Sequence, residues 1–274
     1  MKTILVPTDF SEISHNAIDY AAEMAKQFNA TLVLFHAYHV PIVNAEMPMN
    51  LPSEVEMERK IIDSLRKIEK NLHSKHGKGI SVKIICKQGL AADVISEYVI
   101  DNNVDLITMG TQGGGFITEK VFGSVTSALI KKSKCPVLTI GKDTKFNGIK
   151  NIVLACDYKE TKAAVLRPLK ELTHLFNSHV YLLHVNQNLE AVPSSKEELE
   201  RIKLDHLLEG INHSFNYCEN EDVIDGLNQF AKEKNADMVA MISREHSLIW
   251  NLFHEANTKK MAFHISIPFL SLPE

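Results

Sequence analysis

LITMGTQGGGFITEKVFGSVTSALIKKSKCPVLTI, residues Leu106 to Ile140, reads as an apolar strand, a glycine-rich loop, a helix and a second apolar strand. Gly110, Gly113 and Gly123 fall at the spacing G-x2-G-x9-G, and Ser124 follows at once. Glycines after a strand permit sharp turns and close approach of the backbone to a bound group. Gly123-Ser124-Val125-Thr126 has the composition of a helix start, where unsatisfied N–H groups and the positive dipole end favour an anion. The alternative is a surface loop that merely feeds a helix. G-x4-G-K-[ST] does not occur, so this is no P-loop. G-x-G-x-x-G fails as well, because Thr118 stands where the third glycine belongs and the loop follows the fourth strand rather than the first.

Outward from that stretch, short apolar runs alternate with amphipathic ones. Ile4–Pro7 fits a buried parallel strand. Apolar positions from Ile13 to Phe28 recur at three- and four-residue steps, which predicts a helix over 12–28, with Ser11 or Ser14 as cap and Asn29 at its end. Thr31–Ala37 is a second strand. Residues 38–53 carry Pro41, Pro48 and Pro52 with Met47 and Met49, a proline-broken loop. A charged helix over 54–74 stops at Gly77 and Gly79. Strand 80–86, helix 91–102 and strand 104–109 then lead to the glycine loop, helix 124–132 and strand 137–140. Such alternation predicts a parallel sheet with helices on both faces. The polar stretch 142–150 reads as a linker.

After it the pattern restarts. Ile152–Asp157 lies over Ile4–Asp9 at an offset of 148, and Val180–Val185 over Leu32–Ala37 at the same offset, pairing His184 with His36. Asp237-Met238-Val239 lies over Asp105-Leu106-Ile107 at an offset of 132. The chain therefore holds two copies of one α/β unit. In the second copy Ile242 and Glu245 replace Gly110 and Gly113, and His254-Glu255 replaces the Gly-Ser pair. Side chains crowd the turn and the carboxylates would repel phosphate, so the second site is expected to take no nucleotide.

With 274 residues, 45% hydrophobic and 23% charged, the chain has room for two ordinary globular domains. No apolar run approaches the roughly 20 residues of a membrane span. Met1-Lys2 leads directly into a strand without the pattern of a signal peptide, so a cytoplasmic location is expected. Cys86, Cys135, Cys156 and Cys218 are widely spaced, which argues for reduced, mostly buried thiols and against a zinc site. Residues 1–147 hold 17 Lys+Arg against 16 Asp+Glu, and the remainder 13 against 18, so the second half carries −5 and is a poor partner for nucleic acid. His36 and His39 sit three apart in an extended segment and point to opposite faces, which disfavours a shared metal. The second half holds eight of the 13 histidines, read as scattered surface and core residues. Lys131, Lys132 and Lys134 complement a helix C-terminus.

The segment Gly110–Ser124 resembles the G-x2-G-x9-G-[ST] nucleotide signature of the universal stress protein (UspA) family. The opening KTILVPTDFSEIS is similar to that family's first strand and Asp-bearing turn. The resemblance covers the chain as two tandem copies, with motifs intact only in the first. It implies an adenine nucleotide alpha hydrolase-like fold with strand order 3-2-1-4-5. It also implies ATP, with or without Mg²⁺, between the first strand's end and the glycine loop. Carried over, Pro7, Thr8, Asp9 and Ala37 would lie near adenine and ribose. Gly110, Gly113, Gly123, Ser124, Val125 and Thr126 would cradle ribose and phosphates. Asp9 could equally cap the turn before the first helix, and Ser124 and Thr126 could be helix caps alone.

The resulting expectation is α/β, two tandem doubly wound parallel five-stranded sheets, with a nucleotide-binding unit at 1–141 and a degenerate one at 148–274. The expected function is an ATP-binding stress-response module. No catalytic residue or metal site is named, because no general base with a partner stands near the phosphates. A slow ATPase or nucleotidyl-transferring enzyme is the alternative, as is a scaffold without nucleotide. The two apolar fifth strands, 137–140 and 267–272, are expected to pair within one chain, by resemblance to family dimers, and a homodimer is left open. Neither a membrane nor a nucleic-acid partner is expected.

Overall fold

The computed structural model describes residues 1–39, 53–77, 79–111, 122–187, 194–244 and 267–274. Readings made on the Met47/Met49 loop, Gly113, Glu245, His254 and Glu255 lie outside the described residues.

The first unit runs β1 (Thr3–Pro7), α1 (Glu12–Phe28), β2 (Thr31–Tyr38), α2 (Glu54–His76), β3 (Ser81–Gln88), α3 (Ala91–Asp101), β4 (Leu106–Gly110), α4 (Ser124–Lys132) and β5 (Val137–Ile140). The second runs β6 (Asn151–Ala155), α5 (Ala163–Phe176), β7 (His179–Asn186), α6 (Ser195–Leu207), β8 (His213–Glu219), α7 (Val223–Glu233), β9 (Met238–Ser243) and β10 (Phe269–Pro273). Local chemistry sets the ends. Ser11 caps α1 by accepting from the Ser14 N–H, and Asn29 in the left-handed conformation (φ 50°) stops it. Ser53 and Glu56 form a reciprocal capping box on α2, and Gly77 at φ 82° ends it.

Each unit's strands run parallel in the order 3-2-1-4-5, and the two five-stranded sheets join into one of ten: β3-β2-β1-β4-β5-β10-β9-β6-β7-β8. The seam is antiparallel, with Thr139 opposite Phe269, Leu138 opposite Leu270 and Val137 opposite Ser271. The expected intramolecular pairing of fifth strands is therefore present. It covers two apolar edges that would otherwise be open to other chains.

One face of the sheet packs α1, α2, α5 and α6 on Ile4, Leu32, Leu34, Leu138, Ile152 and Leu154. The other packs α3, α4 and α7 on Leu5, Phe35, Ile107, Val137 and Phe269. Both cores contain residues of both units, so burial itself couples the halves. The stretch 142–150 departs from the linker reading. Phe146 meets Tyr20 edge-on at 5.1 Å and Phe176 at 5.7 Å, Ile149 is fully buried, and Asn16 Nδ2 donates to the carbonyls of Gly141 and Thr144. It is a packed strap. The thiols also differ from expectation: all four are unpaired, but only Cys135 is buried and the others are half-buried.

Repeat symmetry extends to side chains. At the amino end of the sheet the Asp105 carboxylate accepts from the N–H groups of Lys2 and Thr3, and Asp237 does the same for Lys150 and Asn151. At the carboxyl end, Phe10 and Tyr158, both at positive φ (64° and 45°), lie against His36 and His184 at 4.6 and 4.9 Å. Nδ1 of each histidine bonds a backbone carbonyl two residues before the aromatic, Thr8 O at 2.7 Å and Cys156 O at 3.0 Å. The resulting clasp holds the first strand's exit against the second strand's tip in both units.

Candidate functional site

In the first unit β1 pairs with β2 as far as Pro7↔Phe35, but with β4 only at Ile4↔Leu106 and Leu5↔Ile107. Neighbouring helices leave to opposite faces there, α1 to one and α4 to the other. That is the switch point of a doubly wound sheet, where ligands lie beyond the carboxyl ends of the strands. Pro7, Thr8 and Asp9 form one lip and Gly110 with the start of α4 forms the other.

The lips differ in how far their polar groups are committed. Thr8 is buried: its N–H donates to Phe35 O, and its hydroxyl accepts from Phe10 N and lies 2.9 Å from Ser14 Oγ. Thr8 shapes the turn and offers no side chain to a ligand. Asp9 is exposed, with Oδ1 accepting from the Ser11 N–H at 3.0 Å and the Ser11 hydroxyl at 2.6 Å. The turn-capping role expected of Asp9 is thus filled, with its carboxylate standing at the lip. Ala37 sits one residue before the end of β2, on the face of the sheet that carries α3 and α4.

Gly110 closes β4 and is buried. Gly123 is the N-cap of α4 and provides no side-chain cap to the helix's free N–H groups; its own N–H donates to Thr111 O at 2.8 Å. Its backbone (φ −59°, ψ 158°) suits any residue, so glycine here supplies space rather than a special conformation. Ser124 is exposed at the first helical position and Val125 packs inward. Thr126 is buried and its hydroxyl donates to Gly110 O at 3.1 Å, which ties the helix to the strand end. Of the predicted phosphate ligands, then, Ser124 is exposed while Thr126 works as a brace. α4 ends in Lys131 and Lys132, at the pole where cations are stabilising.

The second unit's crevice is filled by its own chain. Arg244 follows β9 directly, its side chain 8% exposed. Its guanidinium donates to Asp157 Oδ1 at 2.9 Å, Thr161 Oγ1 at 2.7 Å and Glu160 O at 2.7 Å, and its Nε lies 3.1 Å from Glu274 Oε2. Asp157 is the repeat counterpart of Asp9. The sequence reading overlooked Arg244; a single arginine immediately after an apolar strand, 87 residues from a matched aspartate, was the available signal. It also overlooked the histidine clasps, whose aromatic partners look unremarkable in a loop. The histidines and cysteines of the second half do not assemble: among the described residues no three His, Cys, Asp or Glu side chains converge as metal ligands. Burial pushes the Cys156 thiol up to about 12 and Cys135 likewise to about 12, so neither is a nucleophile at neutral pH. No described helix is long and apolar enough to cross a membrane.

Comparison with known proteins gives these features a family. The sequence model of the universal stress protein family matches residues 1–141 and again 148–273. A universal stress protein of Methanocaldococcus jannaschii (MJ0531) is 32% identical over 150 residues, 53% of this chain and 84% of its own length. The crystal structure of a universal stress protein from Archaeoglobus fulgidus superposes over 99% of this chain and 96% of its own with a TM-score of 0.72 at 17% identity, a likeness of fold. Another universal stress protein, 25% identical over 51% of this chain and 96% of its own at a TM-score of 0.40, was solved in complex with cAMP.

Proposed function

The chain belongs to the universal stress protein family, and from that premise we propose that its first unit, residues 1–141, binds one adenine nucleotide, ATP, and that the second unit, residues 148–274, binds none. The chain then acts as a nucleotide-responsive module rather than through turnover. One observation carries the reading: at the switch point of the first unit α4 starts at a glycine with no side-chain cap among the described residues, while in the second unit Asp157, the counterpart of Asp9, is already held by Arg244. Uncapped N–H groups at a positive dipole end suit phosphate oxygens. A triphosphate brings its own Mg²⁺, which phosphate oxygens and water hold with few protein ligands. Pro7, Asp9 and the Ala37 backbone take adenine and ribose in this reading, and Gly110, Gly113, Gly123, Ser124 and Val125 the ribose and phosphates, with Thr126 bracing them.

The unpaired thiols fit a cytoplasmic location. With both fifth-strand edges covered, two chains that associate must use another surface. Isothermal titration of the full chain with ATP tests the stoichiometry. One site per chain is expected; two sites of similar affinity, or none, would defeat the reading.

A further inference from the structure

The helix that carries the proposed phosphate site is held at both ends by the other unit. Just before its N-cap, the Phe122 ring lies 6.1 Å from the ring of Phe269, a β10 residue that is 2% exposed. Phe269 is fixed in turn by the antiparallel seam, where it faces Thr139 and its carbonyl accepts from Thr139 Oγ1 at 3.4 Å. Phe269 belongs to the same buried cluster as Leu129 and Ile130 of α4, and Val125 and Phe122 pack against that cluster. At the other end, Ser243 Oγ, from the last residue of β9, donates to the carbonyl of Ile130 at 3.1 Å. That carbonyl belongs to the last turn, where a helix lacks its own donors.

α4 has only nine residues, and helices this short rely on tertiary contacts to stay formed. Its N-terminus must sit within a few tenths of an ångström to place backbone donors on an anion. The Thr126 brace to Gly110 comes from the first unit, while the clamps on either side of it come from the second.

We infer that Phe269 and Ser243 are positioning residues for the nucleotide site of the first unit, so that the second unit, which takes no ligand itself, sets the first unit's affinity. This rests on the reading that ATP binds at α4.

The test uses the full chain. ATP affinity is measured by titration calorimetry for wild type, Phe269→Ala, Phe269→Leu, Ser243→Ala and Ser243→Thr. Hydrogen exchange of residues 122–132 is followed without ligand. Phe269→Ala should weaken ATP about tenfold and Ser243→Ala about threefold. Phe269→Leu and Ser243→Thr, which keep the bulk and the hydroxyl, should restore affinity to within about twofold. Exchange in α4 should quicken in the alanine variants while that in α1 does not. Should Phe269→Ala fail to fold, the Ser243 pair decides. A wild type that binds ATP, with folded alanine variants that bind equally well, overturns the inference and leaves the site standing. Absence of ATP binding by the wild type overturns the underlying reading and the inference with it.

Discussion

Replacing Val137 and Ser271 by cysteine should close a disulfide within one chain. The two residues are directly opposite in the antiparallel seam, where Cβ atoms lie about 4.5–5.5 Å apart, close to disulfide geometry. Thr139 and Ser271 are displaced by two residues along the ladder; diagonal neighbours are about 7–8 Å apart, beyond easy bridging. The closed loop spans about 135 residues, for which the chain-entropy relation gives a ceiling of about 5 kcal/mol. At about 2 °C per kcal/mol for a chain of this size, the melting temperature should rise by up to about 10 °C. Strain from the lost Val137 packing will take part of that away. Cys135 lies two residues from the new thiol, so a Cys135→Ser background keeps the assignment clean. Non-reducing electrophoresis and peptide mass spectrometry, repeated over a hundredfold dilution, read the result. Bridges that form only between chains, or a Thr139/Ser271 pair that closes as readily, would refute the register and the intramolecular seam.

Arg244→Leu should destabilise the chain by about 2 kcal/mol in urea unfolding, less than the roughly 3–5 kcal/mol for breaking a fully buried ion pair, because Asp157 is 33% exposed and Lys159 stands 3.4 Å away. A change below about 0.5 kcal/mol would deny Arg244 its central place in the second crevice. Gly123→Val should weaken ATP binding by at least about a hundredfold with an unchanged circular dichroism spectrum, since the backbone there is unstrained and only space is lost; tight binding by a folded variant would remove Gly123 from the site. Burial holds the Cys135 thiol protonated up to about 12, whereas an unfolded thiol ionises near 8.5. Its folded pKa is raised, so its contribution is full below about pH 8.5 and declines as pH climbs toward 12. The fall should be about 1.4 kcal/mol per pH unit. Urea titrations between pH 8.5 and 10.5 should show that slope reduced in Cys135→Ser; equal slopes would count against it.

Much of this is legible in the sequence itself. α1, α4 and β5 begin and end where apolar period and capping residues put them, because those signals are local. β3 runs two residues past its expected end, to Gln88, because strand ends follow the neighbouring strand: Ala37 and Tyr38 carry the pairing on to Lys87 and Gln88. The strap at 142–150 misled through composition. Its lysines mark the solvent side, while Phe146 and Ile149 were the clue to the buried one. In the sequence a hydroxyl at Thr126, near a helix start, suits a phosphate or a backbone partner equally, and only the fold brings Gly110 O within its reach. Arg244 and Asp157, 87 residues apart, illustrate the remaining limit: no periodicity connects them.

The repeat also separates structure from function within a single sequence. Features found in both units, the Asp105 and Asp237 braces and the His36 and His184 clasps, serve the fold they share, since one of the two units is proposed to bind nothing. His36 lies beside the proposed adenine site, yet its twin makes the same bond where no adenine is expected, so His36→Gln should lower stability more than affinity. Features found once point the other way. Gly123 and Arg244 each occupy the switch point of one unit alone, and they are opposites in kind: the first brings no side chain to the helix start, the second supplies donors and uses them up. In the second unit's crevice the carboxylate is bound by an internal guanidinium, and admitting a ligand there would mean breaking four polar contacts at once. What that unit retains is its seam and the strand beside it, and through Phe269 and Ser243 these reach α4 at its start and in its last turn.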